Sequence, residues 1–187
     1  DLFNHHLRID RGEAFFYLAG NPPEQHQDKG LFRLDPQTFK TREVLRLERH
    51  PEHFNNLHGC LLGNRLLLNA KVYNSPHHAY GTQRLTCYDL ESRGTLWGAT
   101  LSAQVSAFAP LPGGQWIALA LVDGQVEVRD LASGECRWRY RTADAIPLCP
   151  AVSDKLLAIG FSHGGVSLLQ VAADGQLIGP PGANPRQ

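Results

Sequence analysis

Short apolar runs separated by turn residues make up this chain. The clearest unit has an apolar run at 116–120, the dipeptide Asp123-Gly124, an alternating run at 126–130, and a third run that ends at Trp138. Apolar side chains at alternate positions indicate strands with one buried face. Asp-Gly between two such runs predicts a tight type I′ hairpin. No stretch is apolar at helical spacing over ten residues, so we expect almost no helix.

The same unit recurs along the chain. An aspartate closes the alternating run at Asp35, Asp89 and Asp130, and the equivalent position in the last copy is Gln170. The intervals are 54, 41 and 40 residues, and a period of about 40–45 residues with short strands predicts propeller blades. We expect each aspartate to cap the turn that follows it. The preceding strand ends on a small residue in every copy, namely Ala19, Ala70, Ala120 and Gly160.

Two repeat families resemble this unit. Residues 105–138 resemble a WD40 repeat, although Arg129 stands where the WD dipeptide has Trp. The ending Gly134-x-x-x-Trp138 is similar to the quinoprotein-like (PQQ-type) repeat. The resemblance implies an all-β fold, a β-propeller with four blades of four antiparallel strands. We place the blades at about 1–48, 54–101, 104–141 and 146–179, followed by a flexible tail at 180–187.

The presence of four blades does not determine how the propeller ring closes. A blade covers its faces only against its neighbours, and closed propellers have four to eight blades. The chain is therefore part of a larger seven- or eight-bladed ring, or pairs with a second copy to close eight blades, or closes alone with four. We favour the first alternative, with the further blades in a missing segment or on another chain.

Composition restricts the partners and the compartment. Eighteen basic and 18 acidic residues cancel, which argues against nucleic acid and anionic membranes as partners. The longest apolar run, at 116–122, is much shorter than the roughly 20 residues of a membrane span. The four cysteines form no C-x-x-C pair, which favours a reducing compartment. We expect a cytoplasmic protein, with the periplasm as the alternative.

Long segments in the first two blades are the candidate binding site. In the propeller family, the loop between the second and third strands and the connection to the next blade lie at the same end. Here the loops at 21–28 and 72–80 and the connection at 49–56 are rich in histidine and aromatic residues. The predicted patch consists of His26, His50, His53, Phe54, Tyr73, His77, His78 and Tyr80. Such enrichment on a rigid scaffold predicts a protein-binding surface.

Two alternatives for this patch stay open. Polar loops tolerate His and Pro, so neutral loop variation is one. The other is a transition-metal site, which would need several of His50, His53, His77 and His78 to converge on one ion. A metal is the weaker of the two interpretations, and no metal or other cofactor is assigned.

The pattern favours a non-catalytic scaffold or binding module that mediates protein–protein interaction within a larger complex. Its partners would be proteins or further propeller blades, and no catalytic residue is assigned. The alternative is a quinoprotein-like oxidoreductase, or another propeller enzyme, with a ligand in the central channel. Alcohol dehydrogenases of that family use adjacent cysteines, and this chain has none. Ser162 and His163 are adjacent, but a hairpin turn explains them better than catalysis.

Overall fold

The computed structural model describes residues 7–10, 13–18, 30–35, 37–46, 53–73, 82–141 and 147–179. The chain divides into two compact units, residues 1–98 and residues 99–187. The predicted tail at 180–187 lies outside the described residues. Among the residues that are described, no helix is long and apolar enough to cross a membrane.

Sixteen strands in the described part of the chain form four sheets, each with four strands in chain order. The first sheet consists of β1 (Leu7–Asp10), β2 (Glu13–Leu18), β3 (Gly30–Leu34) and β4 (Thr41–Arg46). The second consists of β5 (His53–Leu62), β6 (Arg65–Tyr73), β7 (Thr82–Asp89) and β8 (Thr95–Leu101). The third consists of β9 (Val105–Pro110), β10 (Trp116–Leu121), β11 (Gln125–Asp130) and β12 (Cys136–Arg141). The fourth consists of β13 (Pro147–Val152), β14 (Leu156–Phe161), β15 (Val166–Val171) and β16 (Leu177–Ile178).

This architecture confirms the predicted all-β fold of four four-stranded antiparallel sheets. Each sheet lies within one of the predicted blades, except that β5 begins at His53, one residue before the predicted boundary. The period-two pattern explains why the chain forms these strands, because each run has apolar residues on alternate positions and a turn signal at each end.

Each unit has a core between its two sheets. In the first unit, Leu31 and Leu45 of the first sheet pack with Leu66, Leu68 and Ala70 of the second. The core of the second unit joins the third and fourth sheets and includes Trp116, Ala118, Val126, Val128, Leu157, Ile159, Phe161 and Leu169. Trp138 packs against this core and donates its indole N–H to the carbonyl of Asp174, at 3.5 Å. Within each unit, an apolar face of one sheet therefore packs against an apolar face of the other sheet.

The recurring aspartates cap turns, as predicted. The Oδ1 atom of Asp130 accepts the backbone N–H groups of Ala132 and Ser133, both at 2.8 Å. Asp89 makes the same contacts with Glu91 and Ser92, at 3.1 and 2.7 Å. Equivalent bonds at Asp35 come from Gln37 and Thr38. A short side chain that accepts N–H groups two and three residues ahead fixes the turn without help from the rest of the fold.

The short hairpin turns differ in type from the expectation. A type I′ turn would place Asp123 and Gly124 at its two central positions with positive φ. In the structure, Gly124 has a φ of 86°, Asp123 is not in the positive region, and the N–H of Gly124 donates to the carbonyl of Leu121. The central residues are therefore Val122 and Asp123, and the glycine follows them in the left-handed conformation, as in hairpins with a type I turn.

Arg129, which stands where the WD dipeptide of a WD40 repeat has Trp, forms a buried ion pair with Glu127. The guanidinium of Arg129 donates to Oε2 of Glu127 at 2.7 and 2.8 Å and to the carbonyl of Gly134 at 2.8 Å. Arg139 donates to the other carboxylate oxygen of Glu127 at 3.0 Å. Glu127 and Arg129 are 2% and 5% exposed. Because the charges are paired and hydrogen-bonded, the pair is tolerated in a region closed to water.

Replacing Glu127 with Ala should destabilise the protein strongly. The change leaves the guanidinium of Arg129 buried without its carboxylate, and breaking a buried pair costs about 3–5 kcal/mol. The exposed pair Glu43–Arg46 is the control, because Glu43→Ala should cost less than about 1 kcal/mol. Urea unfolding followed by circular dichroism measures both free energies. Equal losses in the two variants would contradict a stabilising role for the buried pair.

Acid should weaken the aspartate-capped turns. The backbone N–H of Ser133 donates to Asp130 and, with the other bonds there, holds the pKa of Asp130 below its ordinary value of 3.8. Because the folded-state pKa is lower than the unfolded one, the resulting stability is complete above the ordinary pKa of 3.8 and is lost as pH falls through the lowered, folded-state pKa. Asp130→Asn keeps an acceptor but does not titrate. The variant should therefore lose less unfolding free energy than the wild type below about pH 4, measured by urea titrations; equal losses would contradict this.

Candidate functional site

The second sheet extends into a ribbon that the third and fourth sheets lack. In the third sheet, the pairing of β10 with β11 stops at Ala120 opposite Val126. In the second sheet, the pairing of β6 with β7 continues past the equivalent pair, Asn69 and Leu85. Three more pairs follow, and the last of them is Val72 with Thr82. Strand β5 accompanies this extension, with residues 53–55 paired to residues 71–73. We refer to residues 53–55, 70–73 and 82–84 as the ribbon.

The pairing corrects the predicted position of the small residue. Asn69 pairs with Leu85 as Ala120 pairs with Val126, so Asn69, not Ala70, is the equivalent of Ala120 in the second sheet. In the first sheet Tyr17 pairs with Leu31, so Tyr17, not Ala19, is the equivalent. Asn69 is fully buried. Its amide donates to Oε1 of Gln83 at 3.2 Å and to the carbonyl of Arg84 at 3.1 Å. Asn69 therefore ties the base of the ribbon across β6 and β7.

A bulge and two buried side chains set the geometry of the ribbon. The register of β5 against β6 shifts between Asn55 and His58, so β5 has one extra residue there. A bulge of this kind bends the strand and increases its twist. Ala70 and Val72 are 5% and 4% exposed, so β6 is anchored within the ribbon. The ribbon is thus a supported extension of the sheet rather than an irregular loop.

The charge of the ribbon has one sign. It contains Lys71 and Arg84 and no aspartate or glutamate. Arg84 is exposed, and its guanidinium lies over the backbone of Gly98, where an added Cβ would be 3.7 Å from Nη2. A cationic surface of this kind is complementary to a partner that carries carboxylates.

Three residues of the predicted patch lie on the ribbon. His53 is paired with Tyr73, and Phe54 with Val72, so the backbone brings His53, Phe54 and Tyr73 together. Contrary to the expectation of loop and connection, these three belong to strands β5 and β6. The other five, His26, His50, His77, His78 and Tyr80, lie outside the described residues, and so do three of the four histidines of the metal hypothesis.

Other candidate groups have structural explanations. Ser162 and His163 form the β14–β15 turn, in which the N–H of Gly164 donates to the carbonyl of Phe161 and the ring of His163 packs edge-on against Phe161. Burial raises the pKa of Cys87 to about 11, so this thiol is protonated at neutral pH and is a poor nucleophile. Within the described ranges, no three His, Cys, Asp or Glu side chains are grouped so that they could hold a metal ion.

The similarity to known proteins is one of fold. No protein-family model and no curated protein matches the chain. The solved structure of the computationally designed Ika4 protein matches with a TM-score of 0.60 and 12% identity, over 89% of each chain. That of BamB from Moraxella catarrhalis matches with a TM-score of 0.59 and 16% identity, over 95% of this chain and 52% of the BamB chain. This chain thus spans about half the length of BamB.

These matches and the four sheets show that the chain has a β-propeller fold and that the sheets are its blades. At such low identity they show the fold alone. The assignment of the repeats as WD40-like or quinoprotein-like stays a prediction.

Replacing Asn69 with Ala should loosen the ribbon. The substitution removes the donor to the Arg84 carbonyl and to Gln83, and loss of such a buried bond costs about 1–3 kcal/mol. Ser106→Ala is the control, because Ser106 also donates to a backbone carbonyl, that of Ala120, but in the third sheet. Hydrogen exchange of the amides at 70–72 and 82–84 should accelerate in Asn69→Ala only. Unchanged exchange would show that other contacts fix the ribbon.

Proposed function

We propose that this chain is a non-catalytic β-propeller scaffold that binds a protein partner within a larger complex, through the ribbon end of the second blade. The observation that carries the proposal is the ribbon, which extends beyond the short hairpins of the third and fourth blades. Segments that project from a rigid scaffold are the usual place for recognition residues. The predicted patch residues His53, Phe54 and Tyr73 lie on it.

The character of the partner follows from the residues of the ribbon. Lys71 and Arg84 are the two basic residues of the ribbon, which contains no aspartate or glutamate. Phe54 and Tyr73 add aromatic residues, which are enriched at the centres of protein interfaces. A peptide segment or surface that combines Asp or Glu with apolar residues therefore fits this site best.

A selection experiment tests this specificity. A phage-displayed library of random linear peptides is selected against the intact chain, and the enriched peptides are synthesised. We expect them to be rich in Asp and Glu. Their affinity should fall more than about tenfold in the double variant Lys71→Glu, Arg84→Glu, since like charges placed opposite one another repel by several kcal/mol. Isothermal titration calorimetry measures the affinity.

The matched control is the double variant Lys155→Glu, Arg141→Glu, which makes the same change of charge at two exposed positions of the second unit. It should bind the peptides as the wild type does. His53→Ala and Tyr73→Ala should each weaken the same peptides, after circular dichroism has shown that the variants are folded. Affinity that survives all the ribbon substitutions would overturn the proposed site.

The enzyme alternative has a separate test. A quinoprotein-like oxidoreductase would carry a quinone, which absorbs in the near ultraviolet and visible range. An absorbance spectrum of the purified protein with such bands would overturn the non-catalytic assignment. We propose a cytoplasmic location on the distribution of the cysteines, with the periplasm as the alternative.

A further inference from the structure

The second sheet ends in a strand without charge. Strand β8 is last in the order of its sheet, so among the described residues no strand pairs with its outer edge. Its sequence, TLWGATL, contains no charged residue. The last strands of the first and third sheets, TREVLR and CRWRYR, each contain three, and that of the fourth sheet is 2 residues long. Charge and short length normally protect a sheet edge from pairing with another chain, and β8 lacks both.

The part of β8 that belongs to the first unit, residues 95–98, presents an apolar side chain and a glycine on one face. Successive side chains of a strand point to opposite faces of the sheet, so Leu96 and Gly98 share a face, and Trp97 lies on the other. Leu96 is 47% exposed, whereas Trp97 is 9% exposed. The face of Leu96 and Gly98 is therefore open to a partner.

Arg84 places its charge on this same face. A Cβ built at Gly98 would lie 3.7 Å from Nη2 and 3.8 Å from Nε of Arg84, so the guanidinium borders the space that a side chain at position 98 would fill. The backbone of Arg84 is fixed as well, because the amide of buried Asn69 donates to its carbonyl at 3.1 Å. A guanidinium held in this way presents a planar fork of N–H donors, which fits a carboxylate.

The spacing of a sheet puts an added chain within reach of both groups. Neighbouring strands lie about 4.7–4.9 Å apart, and Cβ atoms of directly opposite residues about 4.5–5.5 Å apart. In an extended chain along the outer edge of β8, the side chain opposite Gly98 would therefore meet the guanidinium of Arg84. The side chain two residues away would meet Leu96. The edge thus selects an acidic and an apolar residue with one residue between them.

We infer that the outer edge of β8, at residues 95–98, binds an extended peptide segment of the partner by strand addition. Backbone groups of β8 pair with the segment, Arg84 binds its Asp or Glu, and Leu96 packs against its apolar residue. In this mode of recognition, main-chain bonds give affinity and alternate side chains give specificity. The inference rests on the proposed function, since Arg84 belongs to the ribbon, and it adds how the partner binds and the spacing it must have.

Three synthetic peptides with blocked ends and one composition test the spacing. Ser-Thr-Leu-Thr-Glu-Thr-Ser and Ser-Thr-Glu-Thr-Leu-Thr-Ser have it in the two chain directions, and Ser-Thr-Thr-Leu-Glu-Thr-Ser places Leu and Glu on opposite faces. In NMR titrations of the isotope-labelled chain, at least one spaced peptide should shift the backbone amides of residues 95–98. The control peptide should bind about fivefold more weakly or worse, since it loses one side-chain pair. Equal affinity of all three would overturn the inference.

Substitutions at the edge test the two residues that set the specificity. Arg84→Lys keeps the charge but loses the fork, and it should weaken the better spaced peptide about fivefold. Arg42→Lys is the matched control, because Arg42 is an exposed arginine on the last strand of the first sheet, and it should bind as the wild type does. Gly98→Val should also weaken the peptide, because it crowds the guanidinium, while valine suits a strand and keeps the fold. Unchanged affinity in Arg84→Lys and Gly98→Val would exclude this edge.

Methylation of the peptide backbone separates strand addition from other binding at the ribbon. Alternate N–H groups of an added strand point toward β8 and away from it. Methyl groups on one alternate set of nitrogens should therefore abolish binding, and those on the other set should be tolerated. Equal effects of the two sets, or shifts confined to residues 53–55 and 70–73, would overturn strand addition and leave the ribbon as the binding site. Binding that shifts neither region would overturn the proposed function as well.

Discussion

A sheet that is apolar on both faces needs a cover on both faces, and this requirement governs the molecule. In each unit, aliphatic residues at alternate positions of the two central strands meet the corresponding residues of the next sheet. Burial of this area is the main source of stability, since a single hairpin or sheet is marginal in water. The two sheets of each unit are therefore dependent on one another.

Local and long-range features have separate roles in each blade. The turns after the third strands depend on Asp35, Asp89 and Asp130, whose oxygens accept N–H groups within three residues. The hairpins at the other end of the sheets vary in length instead, from the short turn at Asp123 to the ribbon of the second sheet. Insertions there leave the core unchanged, which makes that end available for recognition.

The repeat was predictable from the sequence because its signals are local. Alternation and the aspartate that closes each third strand indicate the strands and their order. The position of Asn69 was not predictable, because Asn69 and Ala70 are adjacent and the pairing of β6 with β7 decides which one takes the place of Ala120. Residues 72–73 of the ribbon were assigned to a loop and residues 53–55 to a connection, since these segments lack the alternation that marks a half-buried strand. For the ion pair, Glu127 and Arg129 two residues apart in a strand were the available signal.

That ion pair also restricts how β11 can align. Glu127 and Arg129 alternate with Val126 and Val128, which lie in the core of the second unit. A slip of one residue against β10 would exchange the two sets and place both charges against Leu169 and its neighbours. Because such burial is very unfavourable, the charged pair disfavours a one-residue slip of β11 against β10. Its contribution is thus to the uniqueness of the fold as well as to its stability.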